Sequence, residues 1–383
     1  DGNDNDENGY IDDLFGWDFV NESGNLIIID TNIITTSNHG TMVASNACSK
    51  TNNQLGTFGV AGGWGSKGSG IMTLKIGNDP FINSYTLTPA LIYAIKNGAR
   101  VVNMSFGNYS LIYPPFAEAI ELASQKYNCL IFGAAGNNNS NSISWPARHN
   151  DVIATGASAF YCDGAVFMEG RWVSSDTYGS SFGAELDIVA PSYAYYCDTQ
   201  SGYSWRESTT ATSGATAFAS GVAALILSAN PCLLNYEVKE ILASTADKID
   251  TLNGNYDANG HSIYYGYGRI NAYQAVLAAE QKMGFPDTTI TTSTTWNTRI
   301  RYSGNITVDP EAILTITSML YMDAGTKITV EPGGKLVVDG GTITTECLDP
   351  WLGIEVLGDP DLNQFPTSNQ GWVQVINGGT IAN

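Results

Sequence analysis

Three polar side chains stand where the sequence is otherwise apolar or glycine-rich. Ser213 lies in A-T-S-G-A-T-A-F-A-S-G-V-A-A-L-I-L-S-A-N, residues 211–230, a stretch without a charge. A serine in the first turn of such a helix is either its cap or a nucleophile helped by the dipole and the free N–H groups there. His39 lies in N-H-G-T-M-V-A-S, at the start of an apolar helical pattern. An imidazole there either caps the helix or is aimed as a general base. His149 and His261, the remaining histidines, fall in the loop segments W-P-A-R-H-N-D and D-A-N-G-H-S. Asn137 follows the buried-strand pattern of C-L-I-F-G-A-A-G-N-N-N-S. Its amide either completes a Gly-Asn turn or donates to a developing oxyanion.

These residues need elements to hold them. Strand-like runs cover Ile71 to Ile76, Arg100 to Met104, Cys129 to Ala134, Val152 to Gly156 and Leu186 to Ala190. Helical patterns cover Leu87 to Asn97, Phe116 to Lys126, Ala211 to Ala229 and Glu237 to Ala246. Alternation of this kind predicts an α/β domain whose parallel sheet has helices on both faces. It occupies residues 1–284. From there to residue 383 the texture changes. I-T-V-D-P-E-A-I-L-T-I from Ile306 recurs as I-T-V-E-P-G-G-K-L-V-V from Ile328, and V-D-G-G-T-I from Val338 recurs as I-N-G-G-T-I from Ile376. Period-2 alternation with a repeat of about two dozen residues predicts a small all-β domain resembling a β-solenoid. A β-sandwich is the alternative. The last rung has no cap, and the sequence opens without Met or a signal peptide, so both ends are expected to be cut.

The chain has 383 residues and a formal net charge of −20. So acidic a chain is a poor partner for nucleic acid, which is bound through Lys and Arg. No apolar run is expected to span a membrane. None of the six cysteines forms a C-x-x-C pair, so a zinc site is not expected. Cys48 and Cys129 suit core thiols. Cys162 and Cys197, in Tyr-rich loops, could pair, although sequence does not fix connectivity.

Taken in order, the segments resemble the subtilisin-like serine peptidases over nearly all of residues 1–280. D-G-N-D-N-D-E-N-G-Y-I-D-D-L-F-G-W-D-F-V is similar to that family's stretch between its catalytic Asp and His. N-H-G-T-M-V-A resembles the histidine motif, V-V-N-M-S-F-G the cleft strand, and A-A-G-N the oxyanion segment. W-P-A-R-H-N-D-V-I-A-T-G-A, F-G-A-E-L-D-I-V-A-P-S, A-T-S-G-A-T-A-F-A-S-G-V and G-Y-G-R-I-N-A-Y-Q-A-V match later family segments. The resemblance implies peptide-bond hydrolysis, with Ser213 as nucleophile, His39 as base, and Asn137 with the Ser213 N–H as oxyanion donors. Ser105, Phe106 and Gly107 would flank the substrate as an added strand. Ala134, Ala135 and Gly136 would line the pocket for the residue before the cut. The implied partner is a protein or peptide, the chemistry requires no cofactor, and the setting is extracellular, with a cell-surface or secretion partner conceivable beyond the C-terminus.

Several positions depart from the pattern. The family's triad Asp belongs upstream of residue 1. Asp30, in L-I-I-I-D-T-N, imitates that motif but sits only nine residues before His39. Without the carboxylate the imidazole loses its tautomer and its charge partner, a loss of about 10⁴ in kcat in a known protease, so these 383 residues alone are expected to be weakly active or inert. Ala211 replaces a glycine, Gly214 a methionine and Ala217 a proline, which keeps open a non-catalytic relative that only binds. Finally, Asp4, Asp6, Asn8 and Asp12 in D-N-D-E-N-G-Y-I-D-D resemble the first half of a calcium loop. Phe15 stands where an EF-hand would have its closing Glu, and a solvated acidic turn is the alternative.

Overall fold

The computed structural model describes residues 2–26, 39–65, 67–78, 81–108, 113–163, 166–198 and 204–382. Asp30 and the run that leads to it lie outside the described residues. The chain forms two compact units: Asp1–Ile226 with Asn235–Val276, and Leu227–Leu234 with Leu277–Asn383.

In the first unit the strands are β1 (Gly16–Asp18), β2 (Thr73–Lys75), β3 (Val101–Met104), β4 (Leu130–Ala134), β5 (Ile153–Asp163), β6 (Val166–Arg171) and β7 (Ile188–Pro191). Strands β7, β5, β4 and β3 pair in that order, all parallel, and β6 folds back antiparallel on β5. Strands β1 and β2 make a separate parallel pair. All five residues of β4, L-I-F-G-A, are buried, as expected of a strand covered on both faces. Helices α2 (Ser84–Lys96) and α3 (Pro114–Gln125) cover one face, where Leu87, Leu91, Phe116 and Ile120 pack with Met104 and Ile131. Near α4 (Ala211–Ala229) the cluster is made of small residues, Ala157 and Ala190 from the sheet with Ala211 and Ala215 from the helix. Strand β5 runs well past Gly156, where the sequence predicts its end, because its second half is the first arm of the hairpin with β6.

Helix α4 corrects one expectation. By length and composition it is apolar enough to cross a membrane, but 67% of that stretch is buried. Ala215, Ala217, Ala219 and Ala223 are fully enclosed, so protein already surrounds it as it surrounds any core helix. Its small residues admit close neighbours. A β-carbon on Gly221 would lie 2.8 Å from Val60 Cβ and 3.2 Å from the Ala47 carbonyl, which sets helix α1 (His39–Cys48) against α4.

Burial pushes the Cys129 thiol up to about 12, and it raises Cys48 as well. Both therefore behave as unreactive thiols. Cys232 and Cys347, which the sequence did not link, form a disulfide. The side chains of Cys162 and Cys197 lie outside those described.

The second unit stacks three parallel sheets. Ile306 pairs with Ile328, 22 residues on, and Ile328 in turn with Ile354. Leu314 and Leu336 stack on a second sheet, and Leu320 and Ile343 on a third. All of these except Ile354 are fully buried, so each rung covers its neighbour as a solenoid requires. In the last rung Thr342 pairs with Thr380, as the G-G-T-I repeat predicts. Val338, however, pairs with Val375 and not with Ile376. The extra residue is taken up where Gly340, Asn377 and Gly378 adopt positive φ.

Candidate active site

The first turn of α4 is held from three directions. The Thr210 carbonyl accepts the Gly214 N–H at 2.9 Å, and the Thr210 hydroxyl donates to the Ser192 carbonyl at 2.8 Å. A β-carbon on Gly214 would fall 1.8 Å from Thr210 Oγ1. Glycine at 214 therefore makes room for the Thr210 side chain, which accounts for the loss of the family's methionine. Ala211 sits at φ 51°, in the left-handed region that favours glycine. The family's glycine there answers a backbone demand that Ala211 meets under strain.

Ser213 does not cap its own helix. Its hydroxyl donates to the Ser105 carbonyl at 3.2 Å, and the Ser105 hydroxyl donates back to the Ser213 carbonyl at 2.8 Å. Asn103 Nδ2 holds Ser105 Oγ from behind at 2.9 Å. These bonds tie the start of α4 to the residues that continue the edge strand β3.

Asn137 is fixed by the same turn. Its Oδ1 accepts both the Thr212 N–H at 3.1 Å and the Thr212 hydroxyl at 2.8 Å. Two donors on one branch identify it as the oxygen. The Nδ2 branch is left for the cavity that Asn137 lines together with Ser213. Helix N-terminal N–H groups lack intrahelical acceptors, so this turn and the Asn137 amide form a donor-rich corner.

The cavity measures about 190 Å³. It brings together most residues expected from sequence: Ser213, Asn137, Ser105, Phe106, Gly107, Ala134 and Gly136. Ala135 is a correction. It is fully buried, with its N–H on the Thr155 carbonyl, because alternation along the strand turns it away from its neighbours' face. Thr212, Asn138 and Ser144 also line the cavity and were missed. Thr212 was legible as the neighbour of Ser213. Ser144, just ahead of Trp145-Pro146, carried no local signal.

His39 is the first residue of α1, solvent-exposed and outside the cavity lining. Its helix approaches the site lower down: a β-carbon on Gly214 would lie 3.1 Å from Asn46 Nδ2, and Asn46 is two turns beyond His39. The other histidines are engaged elsewhere, His149 within its own loop and His261 with a residue 75 positions away. His149 Nδ1 accepts the Asp151 N–H at 3.2 Å, and His261 Nε2 lies 2.7 Å from the Leu186 carbonyl.

At the acidic loop, Asp4 accepts the N–H groups of Asn8 and Gly9, and Asp6 accepts Asn8 Nδ2 at 3.0 Å. Asp12 turns away to the Gly2 N–H at 2.8 Å. Asp13 accepts Asn8 Nδ2 at 2.9 Å, and Asn97 Oδ1 lies 3.3 Å from the same nitrogen.

Comparison with known proteins shows the family. A profile described as the subtilase family matches residues 19–268. The thermophilic serine proteinase of Bacillus sp. (strain AK1) is 31% identical over 262 residues, covering 68% of this chain and 56% of that protein. A calcium-dependent protease of Nostoc sp. (strain PCC 7120 / SAG 25.82 / UTEX 2576) is 31% identical over 63% of this chain and 40% of its own length. Subtilisin DY of Bacillus licheniformis is 32% identical over 245 residues, 62% of this chain and 77% of that one. The chain thus spans about half the length of the first relatives. The solved structure of the prenylagaramide maturation protease PagA shares the fold, with TM-score 0.50 and 24% identity over 63% of this chain and 83% of that one.

Proposed function

Because this chain belongs to the subtilase family, we propose that it is a serine endopeptidase that acts outside the cell on protein or peptide substrates. Ser213 attacks the carbonyl, and His39 takes its proton and returns it to the leaving amine. The Asn137 Nδ2 and the Ser213 N–H hold the oxyanion. The proton transfer through His39 needs a carboxylate on its Nδ1 to orient the ring and stabilise its charged form. Ser105 to Gly107 offer the substrate a strand edge, and the β-repeat region, residues 285–383, serves as spacer or attachment.

The observation that carries this reading is the Thr212 clamp on Asn137 Oδ1, which leaves the amide N–H beside Ser213. The test is labelling by a fluorophosphonate. Ser213 should be modified in the native chain, and labelling should vanish in Ser213→Ala and after denaturation. A native full-length protein that stays unlabelled while a control peptidase reacts would sink it.

A second reading is a non-catalytic relative that binds peptides at the same edge. It is favoured by the hydrogen bond that commits the Ser213 hydroxyl to the Ser105 carbonyl. The same labelling separates the two.

Calcium at the acidic loop is part of this proposal, supported by two relatives named calcium-dependent proteases. Asp6, Asp13 and Asn97 accept from the Asn8 amide and Asp4 from the Asn8 N–H, so an ion held by these oxygens would have to displace that amide. A bound ion would brace this loop and supplies nothing to the bond-breaking chemistry. Chelation should lower the melting temperature, and an unchanged one would rule the ion out.

A further inference from the structure

The Thr212 clamp fixes only the side chain of Asn137. Its backbone has to be held as well, because the loop that carries it leaves β4 without entering a helix or a strand. Gly136 lies at φ 103° and Asn139 at φ 49°, both in the left-handed region, and such backbone persists at a residue other than glycine only where its surroundings over-determine it. The surroundings here are a strap, residues 179–182, laid parallel along the loop. The Gly179 N–H donates to the Asn137 carbonyl at 3.0 Å, and the Ser181 N–H to the Gly136 carbonyl at 2.8 Å. The Asn139 N–H donates back to the Gly179 carbonyl at 2.9 Å.

Arg171, the last residue of β6, joins loop to strap. Its Nη1 donates both to Asn139 Oδ1, at 2.7 Å, and to the Ser180 carbonyl. The guanidinium carbon lies 4.8 Å from the centre of the Phe182 ring, so the strap's own side chain covers it. Among the described residues this guanidinium makes no ion pair, and both hydrogen bonds of its side chain go to the loop and the strap. A charged donor makes shorter and stronger bonds than a neutral one, and the guanidinium fork is rigid. Two uncharged oxygens on neighbouring segments are thereby held at a fixed separation, two residues from the oxyanion donor.

We propose that Arg171 is a positioning residue for the reaction: by pinning Asn139 to the strap it holds the Asn137 amide where the oxyanion forms. This rests on the peptidase reading above. Oxyanion donors act through preorganisation, and a misplacement of about 1 Å can cost about 10²-fold in rate. The test uses the full-length protein, a peptide p-nitroanilide for kcat and KM, and a plain fluorophosphonate as control. Arg171→Met should lower kcat by about tenfold or more with KM unchanged. Asn139→Gly should do the same, since it removes Oδ1 and puts at that φ the residue most at ease there. Neither substitution should lower kcat further in an Asn137→Ala background, where the donor to be positioned is gone. A merely structural Arg171 would cost the same factor in both backgrounds. An equal loss in both, or an unchanged kcat in Arg171→Met, overturns the inference and leaves the peptidase reading intact. Failure of the fluorophosphonate to label the unsubstituted protein, while a control peptidase reacts, overturns both. If Arg171→Met does not fold, Asn139→Gly in the two backgrounds decides.

Discussion

The two units use sequence distance in opposite ways. In the second, every core residue leans on its counterpart one rung away. Ile306 meets Ile328 and Leu314 meets Leu336, each 22 residues on, and the next rung follows 26 residues after Ile328 and 37 after Leu336. In the first, the decisive bonds join residues far apart: Ser105 and Ser213 are 108 positions distant, Asn137 and Thr212 are 75. The rungs are a local structure whose stability is close to a sum of neighbour terms. The site exists only when a whole sheet and two helices have assembled. Damage should therefore stay local in one unit and be felt throughout the other.

The sharpest way to break this contrast is at the oxyanion corner. Asn137→Ala should lower kcat by about 10²–10³-fold with little change in KM. An equal loss in KM would mean that the amide only binds substrate. Next is Leu336→Ala in the rungs. Leu336 is fully buried between Leu314 and Val373, so the change should cost about 3 kcal/mol. It should be seen as a lower melting transition of the second unit, with labelling of Ser213 unaltered. Slower labelling would show that the rungs are not autonomous.

Asp18 tests the first unit at a distance from its chemistry. Burial works against its charge, but hydrogen bonds from Lys75, Asn21 and the backbone outweigh it and hold the carboxyl below its ordinary range. A carboxyl lowered in the folded state contributes stability above its unfolded value, about 3.9, and loses it as pH falls through the folded one. Melting temperature should therefore drop on acidification below about pH 4, and Asp18→Asn should flatten that drop. At neutral pH the substitution should cost about 3 kcal/mol, since it strands Lys75. The smallest expected effect is a gain. Ala211→Gly relieves a left-handed alanine and should stabilise the first unit by about 0.5–1 kcal/mol, measured by chemical denaturation. A loss of stability would mean that the buried methyl of Ala211 matters more than its φ.

What was legible in the sequence follows the same division. The rungs were visible because the repeat is written out residue by residue. The sheet was visible because fully covered strands such as L-I-F-G-A have no polar face. Ser213, Asn137 and the cleft strand could be named from the order of their motifs. What escaped depended on geometry across long gaps. Ala135 looked like its neighbours until strand alternation turned it inward. Ser144 lines the cavity beside Gly107, which has no side chain to exclude it. Asp12 and Asp13 are equal as letters, and only the turn sends Asp12 to the Gly2 N–H and Asp13 to the Asn8 amide. The pairing of Cys232 with Cys347 spans 115 residues and no spacing rule reaches it.

That disulfide has a bearing on durability. Between its two cysteines the chain visits both units, since Asn235–Val276 belongs to the first and Cys232 and Cys347 to the second. A single nick anywhere along that path opens a loop without freeing a fragment. The protein would survive such a cut as one covalent molecule, whole on a non-reducing gel and in two pieces once reduced.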